Sequence, residues 1–452
     1  MSDRALSKFA FLFALAFGAN TQAAEPGSPY LGWGDEGSGD VDAPFVYGLS
    51  EDNRWREVSE AISLADQSVV VIGNISENGS LRIGLAKVTS AGTLDPAFGA
   101  YGGFWAGNSG SNWVTDAILD ADGQILVSEG GTICRFNATY GALIGFESGN
   151  ASCVDIATMA GFDGFRANGL VALPDGRMWV AGRVFLGVDW VYAALLRLNA
   201  NGSLDATFNG TGYRLIEPPP GRTSIAFTGL RQASNGKLIA VGNVDDQLEF
   251  TVARFDANGN IENWPAKQHD FGTYSVAADF VLIDDPASSE DDIILATRFK
   301  NTVVKLDGQT GLPSADFGVD GFRTLTHDGR PLQPNRVRTA ADGKLLIATI
   351  RYDTPDPETD EEGDGPFSIV RLLPAGTMDE TFGTGGVSVL DYDGDSNPAS
   401  ETRAYEMGLA VMDDAVVAAR PAVYDQSHSY ETVLIAKRRL FGDSIFSDSF
   451  DQ

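Results

Sequence analysis

The chain has 452 residues, 62 acidic against 32 basic side chains, a formal net charge of −30 and 52 glycines. A surface of that sign repels nucleic acid and anionic lipid, which excludes both as partners. The glycines announce many tight turns.

The first element in chain order is an export leader, residues 1–24. Arg4 and Lys8 precede an apolar run, "FAFLFALAFGA" (9–19), and "NTQAA" supplies small residues for cleavage near Ala23 or Ala24. That run is too short for a bilayer, which takes about 20 residues. No later stretch is long enough either, so no transmembrane segment is expected. The expected product is an exported chain, in the periplasm, outside the cell or on its surface. Residues 25–38 read as a linker, 39–440 as one folded unit and 441–452 as an acidic-aromatic tail.

Within 39–440 one pattern recurs. An apolar run ending in small residues occurs seven times: "VVVIGN" (69–74), "ILVSEG" (125–130), "MWVAGR" (178–183), "LIAVGN" (238–243), "IILATR" (293–298), "LLIATI" (345–350) and "VVAARP" (416–421). Asp122-Gly123, Asp175-Gly176, Asn235-Gly236 and Asp342-Gly343 precede several of them, the signal of a tight hairpin. A third apolar strand follows, with one base inside it: Lys87, Arg135, Arg197, Arg254, Lys305, Arg371 and Lys437. Then comes a motif, "GTLDPAFGAYG" (92–102), "GSLDATFNGTG" (202–212) or "GTMDETFGTGG" (376–386), leading into a fourth strand.

A period of about 57 residues suits a four-stranded unit that cannot bury its own faces. Seven such units predict an all-β fold, a single seven-bladed β-propeller. In the motif, glycine makes the turn, aspartate accepts an N–H two residues on, and phenylalanine plugs the gap between blades. The base and acid stand eight apart at Lys87/Asp95, Arg197/Asp205, Arg254/Glu262 and Arg371/Asp379. That spacing is open between a structural ion pair and two solvated charges. The seventh unit lacks a motif, and "GDVDAPFVYG" (39–48), with Gly39, Val41, Asp42 and Phe45, is the expected missing copy. The N-terminal strand would then close the ring, with Asp42 beside Lys437.

On "LDPAFGAYG", "LDATFNGTG", "MDETFGTGG", "PDGRMWVAG" and "ADGKLLIAT" the chain resembles the bacterial delta-60 repeat proteins, the DUF5122 β-propeller group. The resemblance implies a propeller and brings no catalytic residues with it. "GALIGFE" (141–147), "GNIENWP" (259–265) and "GLPSADFG" (311–318) depart from the pattern.

Catalytic vocabulary is sparse. His269, His327 and His428 form no metal-binding pair, and no nucleophile elbow or zinc motif occurs. Cys134 and Cys153 suit one disulfide in an oxidising compartment, against two free thiols. Asp391, Asp393, Asp395 and Asn397 alternate as calcium ligands do, although Ser396 stands where glycine is wanted; calcium is the one candidate cofactor. Trp55, Trp105, Trp113 and Trp190 are assigned to connections on one rim, where flat faces would hold a sugar; the alternative is that they cap sheet ends. The leading expectation is a monomeric, non-enzymatic binding or scaffold propeller for a protein or glycan. The alternative is a secreted hydrolase or lyase using carboxylates near the central tunnel, which a carboxylate of strongly shifted pKa near the axis would favour.

Overall fold

The computed structural model describes residues 25–26, 40–43, 54–77, 80–99, 103–106, 112–146, 152–187, 190–245, 249–262, 268–269, 276–298, 301–351, 366–390, 407–423 and 431–440. Their strands form seven antiparallel sheets. Blades 1 to 6 begin with first strands Arg54–Ser63, Val114–Leu119, Gly164–Ala172, Ile225–Gln232, Val276–Ile283 and Arg330–Thr339. Each continues through three more strands in chain order, and Thr326–His327 adds a short fifth to blade 6. Blade 7 is built from Gly408–Val411, Ala415–Val423, Glu431–Arg439 and, from the other end of the chain, Asp40–Ala43. Consecutive first strands touch all the way round, and the seventh touches the first. The predicted seven-bladed propeller is therefore a closed ring.

The apolar runs are continuous because each sheet is covered on both sides. Seven hydrophobic clusters fill the seven boundaries between blades, each drawing side chains from two neighbours. Val70 and Ile72 pack toward blade 2, whereas Val69 and Val71 pack toward blade 7. The motif phenylalanines plug these boundaries as expected: Phe98, Phe208, Phe317 and Phe382 are each at most 3% exposed. In the hairpins, Gly123, Gly176, Gly236 and Gly343 take positive φ while the Asp or Asn before each does not.

The eight-residue base–acid spacing resolves to buried or half-buried ion pairs. Lys87 lies 3.5 Å from Asp95, Arg197 2.7 Å from Asp205, Arg254 2.6 Å from Glu262 and Arg371 2.8 Å from Asp379. The register explains the number eight, because in each case the acid's N–H donates to the carbonyl of the base. Asp95, Asp205 and Asp379 also accept the N–H two residues on, the expected Asx turn. The same backbone bond places Ile144 and Ser314 in the acid's position in blades 2 and 5. There the counter-charge comes from elsewhere: Asp120 and Asp122 for Arg135, Asp292 and Asp316 for Lys305. Where the motif decays, hairpin and neighbouring carboxylates hold the buried cation. Blade 2 is also tied by the disulfide between Cys134 and Cys153, which face each other on its third and fourth strands.

Closure needs a correction in detail. The N-terminal strand completes blade 7, but Asp42 pairs with Leu434 and Asp40 with Ala436, so residues 40–43 are the fourth strand itself and not the motif. Lys437 has Asp414 of its own blade as its attracting carboxylate, and burial pulls its pKa down. One bond places a residue upstream of that strand against the neighbouring blade. Gly383 N–H donates to Pro26 O at 2.7 Å, as Gly99 N–H does to Tyr140 O and Gly318 N–H to Ala375 O in earlier blades. Pro26 thus takes the place that Ala375 takes in the preceding blade, and in the sequence Gly27, Tyr30 and Trp33 follow it at the spacing at which Gly376, Asp379 and Phe382 follow Ala375.

Candidate functional site

A close ring of seven first strands crowds its own centre, and the residues there decide whether an active site can form. In six of the seven the pairing slips by one residue at the same level. The bulged residues are Ser59, Thr115, Asn168, Thr228, Ala278 and Asn335. A bulge turns a side chain out of the pleat, and here most of these reach the next first strand. Ser59 Oγ donates to Val114 O at 3.1 Å, Asn168 Nδ2 to Phe227 O at 2.7 Å, and Thr115 Oγ1 to Ala167 O. Asn335 Oδ1 accepts the Met407 N–H at 3.0 Å. Polar residues inside otherwise apolar strands are therefore the clasps between blades.

The residues after the bulge are Glu60, Asp116, Gly169, Gly229, Asp279 and Arg336. Gly169 is required by space, since a Cβ there would lie 2.4 Å from the backbone nitrogen of Leu230 in the adjoining blade. The charged members form one network with Arg231 and Arg338. Arg338 Nη2 lies 2.6 Å from Glu60 and its Nη1 2.5 Å from Asp279. Arg336 Nε is 3.4 Å from Glu60, and its guanidinium also donates to Ser59 O. Arg231 sits 3.2 Å from Asp279 and 4.0 Å from Asp116. Blades 6 and 1 are not neighbours, nor are blades 4 and 2, so these contacts span the middle of the ring. Three carboxylates and three guanidinium groups balance in charge and meet across the ring.

Their proton affinities differ by environment. Burial pushes Asp279 up, but Arg338, Arg231 and Arg336, with the Val337 N–H at 3.0 Å, hold it below the usual carboxylate range. Asp116 goes the other way. Burial pushes it up to about 6, aided by the negative charges of Glu60 and Asp279, while Arg231 and the Leu170 N–H offset only part of this. Outside the network, burial raises Glu129 to about 7 against the pull of Arg82. Asp116 is thus the axial group whose proton changes hands near neutral pH.

A measurable consequence follows from the sign of that shift. With a folded pKa of about 6 against an ordinary 3.8, the folded chain binds the proton more tightly. Stability from this group is present in acid, falls as pH rises between those values, and leaves a penalty of about 3 kcal/mol above them. Urea unfolding of Asp116→Asn should gain on the parent by up to about 3 kcal/mol between pH of about 4 and 7. A stability difference that stays flat with pH would show that Asp116 does not titrate there.

The residues picked out from sequence are distributed differently. Trp55 lies in the first strand of blade 1, is 1% exposed and belongs to the core between blades 7 and 1. Trp105 and Trp190 also lie in strands, Gly103–Ala106 and Trp190–Leu198, and not in connections. Trp113 alone among the four stands just outside a strand, 40% exposed. The acidic segments 353–365 and 391–401, with Asp391, Asp393, Asp395 and Asn397, lie outside the described residues. Among the described residues no helix is long and apolar enough to cross a membrane.

Sequence comparison agrees with the architecture. Residues 64–98, 173–208 and 233–263 match the family model "Domain of unknown function (DUF5122) beta-propeller". No curated protein matches the chain. A protein of unknown function from Bacteroides caccae is 14% identical, with TM-score 0.38, over 68% of this chain and 93% of that one. An unknown-function protein from Dyadobacter fermentans is 12% identical, with TM-score 0.40, over 89% and 99%. A puromycin hydrolase is 15% identical, with TM-score 0.49, over 93% of this chain but 57% of that one. Nothing about function follows from these three.

Proposed function

We propose that the protein is an exported, non-enzymatic propeller that binds a protein or glycan through its loop-rich rim. One observation supports this most: the axial carboxylates are engaged with arginines and backbone N–H groups, so the centre serves as a plug. Catalysis at a propeller axis needs an acid or base with room for substrate beside it, whereas Glu60 and Asp279 are each locked to Arg338. Recognition then falls to the rim, where Trp113 offers an exposed indole. Indole faces suit sugar rings and protein hot spots alike. Calcium held by Asp391, Asp393, Asp395 and Asn397 would stiffen that rim.

The test is a glycan-binding screen on the chain from Glu25 onward, with and without millimolar calcium, beside the Trp113→Ala and Asp393→Ala variants. Expected are a glycan hit weakened by Trp113→Ala and a melting temperature that rises with calcium only when Asp393 is present. A hit indifferent to Trp113, with no calcium shift in the parent chain, would overturn this reading.

The raised carboxyl of Asp116 favours a second reading, a hydrolase or lyase acting at the axis on a polysaccharide or small ester. A buried acid poised near neutrality can donate a proton to a leaving group. Turnover of such a substrate, lost in a folded Asp116→Asn chain, would put this reading first.

A further inference from the structure

Asparagine followed by glycine is chemically vulnerable, because the glycine nitrogen can attack the asparagine Cγ without a side chain in the way. Five such pairs lie among the described residues: Asn168-Gly169, inside a strand with Asn168 Nδ2 bonded to Phe227 O at 2.7 Å, and in turns Asn201-Gly202, Asn209-Gly210, Asn235-Gly236 and Asn258-Gly259. The fold treats them unequally. In three of them the glycine N–H is already committed, Gly202 to Asn199 O at 2.8 Å, Gly236 to Ala233 O and Gly259 to Asp256 O, both at 2.9 Å. A nitrogen whose proton is held in a turn is a poor nucleophile for the neighbouring amide.

Asn209-Gly210 is built the other way. Both residues are exposed, and nothing lies within 4 Å of a Cβ placed on Gly210. The Gly210 N–H is absent from the turn bonds, which run from Thr211 and Gly212 back to Phe208 O. Asn209 itself sits at φ 52°, in the left-handed region that asparagine tolerates. Its amide is oriented at both ends. Nδ2 donates to Tyr213 O at 2.9 Å, and Arg214 Nη2 reaches Oδ1 at 3.4 Å while also touching Asn260 Oδ1 at 3.2 Å. A guanidinium at the amide oxygen stabilises negative charge as it develops there.

We propose that Asn209-Gly210 is a self-modifying site that deamidates in the folded protein. The Gly210 nitrogen loses its proton to water or base and bonds to Asn209 Cγ, giving a tetrahedral oxyanion beside Arg214. The Cγ–Nδ2 bond then breaks, ammonia leaves with the added proton, and a cyclic imide remains. Water opens that ring on either side, leaving aspartate or isoaspartate at 209. No oxidant or cofactor is involved. The aspartate product places a carboxylate against Arg214. The isoaspartate product adds a backbone atom inside the turn that seats Phe208 between blades 3 and 4.

The test is peptide mapping by mass spectrometry of the chain from Glu25 onward, aged in mildly alkaline buffer, folded and in concentrated urea. Expected in the folded chain is conversion at Asn209 several-fold faster than at Asn201, Asn235 or Asn258, with paired aspartyl and isoaspartyl peptides. Arg214→Leu should slow Asn209 several-fold, and urea should bring the four turn sites toward one rate. Equal rates in the folded chain, or an Arg214→Leu chain that converts Asn209 as fast as the parent, would overturn the proposal. Circular dichroism on the variant separates lost folding from lost chemistry.

Discussion

Replacing Arg338 by methionine should destabilise the folded protein by about 3–5 kcal/mol, read as a lower urea midpoint at unchanged slope. Methionine keeps much of the side chain's bulk, so the loss is one of charge. Arg338 bonds both Glu60 and Asp279, and both carboxylates are at most 8% exposed. Without it they face each other across the axis with one guanidinium too few. Removing one partner of a buried ionic set costs far more than the set contributes as a whole, because the survivors stay desolvated. The triple variant Arg338→Met, Glu60→Gln, Asp279→Asn should therefore recover much of the loss. Additive losses across the three changes would instead mean independent contacts and no shared plug.

That network was the part of the molecule hardest to see in the chain. The blades were legible because their signals are local. The second-strand runs, the Asp-Gly and Asn-Gly turns and the eight-residue base–acid step all lie within one repeat, where antiparallel register fixes what meets what. Glu60, Asp116, Arg231, Asp279, Arg336 and Arg338 come from five different blades, so no spacing connects them. One signal was available. Aligning the repeats on their first strands sets Ser59-Glu60, Thr115-Asp116, Asn168-Gly169, Thr228-Gly229, Ala278-Asp279 and Asn335-Arg336 in one column. A small, mostly polar residue followed by a charge or glycine, within an apolar strand, is what a bulge at a crowded axis needs. The rim tryptophans show the opposite error. Trp55 had the right composition for a binding face, but its neighbourhood, Ile75 and Ala86 beneath blade 7, is set by packing that composition does not reveal.

The ring seam misled for a related reason, and it carries the second large effect. "GDVDAPF" has the motif's aspartate and phenylalanine, whereas the sequence after Pro26 keeps the motif's spacing with Tyr30 and Trp33 in their places and a longer approach to the strand. From Gly27 to Asp40 is thirteen residues, against eleven from Gly376 to Val387. A chain begun at Gly48 would lose the pairing of Asp40–Ala43 with Val433–Ala436 and the Pro26–Gly383 bond. Each such backbone bond contributes about 1 kcal/mol net, and 1 kcal/mol moves the melting temperature of a large domain by roughly 2–4 °C. The truncated chain should thus melt roughly 10 °C below its parent. Because this segment joins blade 7 without a covalent link to it, a synthetic peptide of residues 25–43 should restore most of the loss in trans, in a concentration-dependent way. A peptide of residues 38–43, which lacks the Pro26 carbonyl, should restore much less. If the truncated chain melts with its parent, or both peptides rescue equally, the seam is not held by the upstream segment.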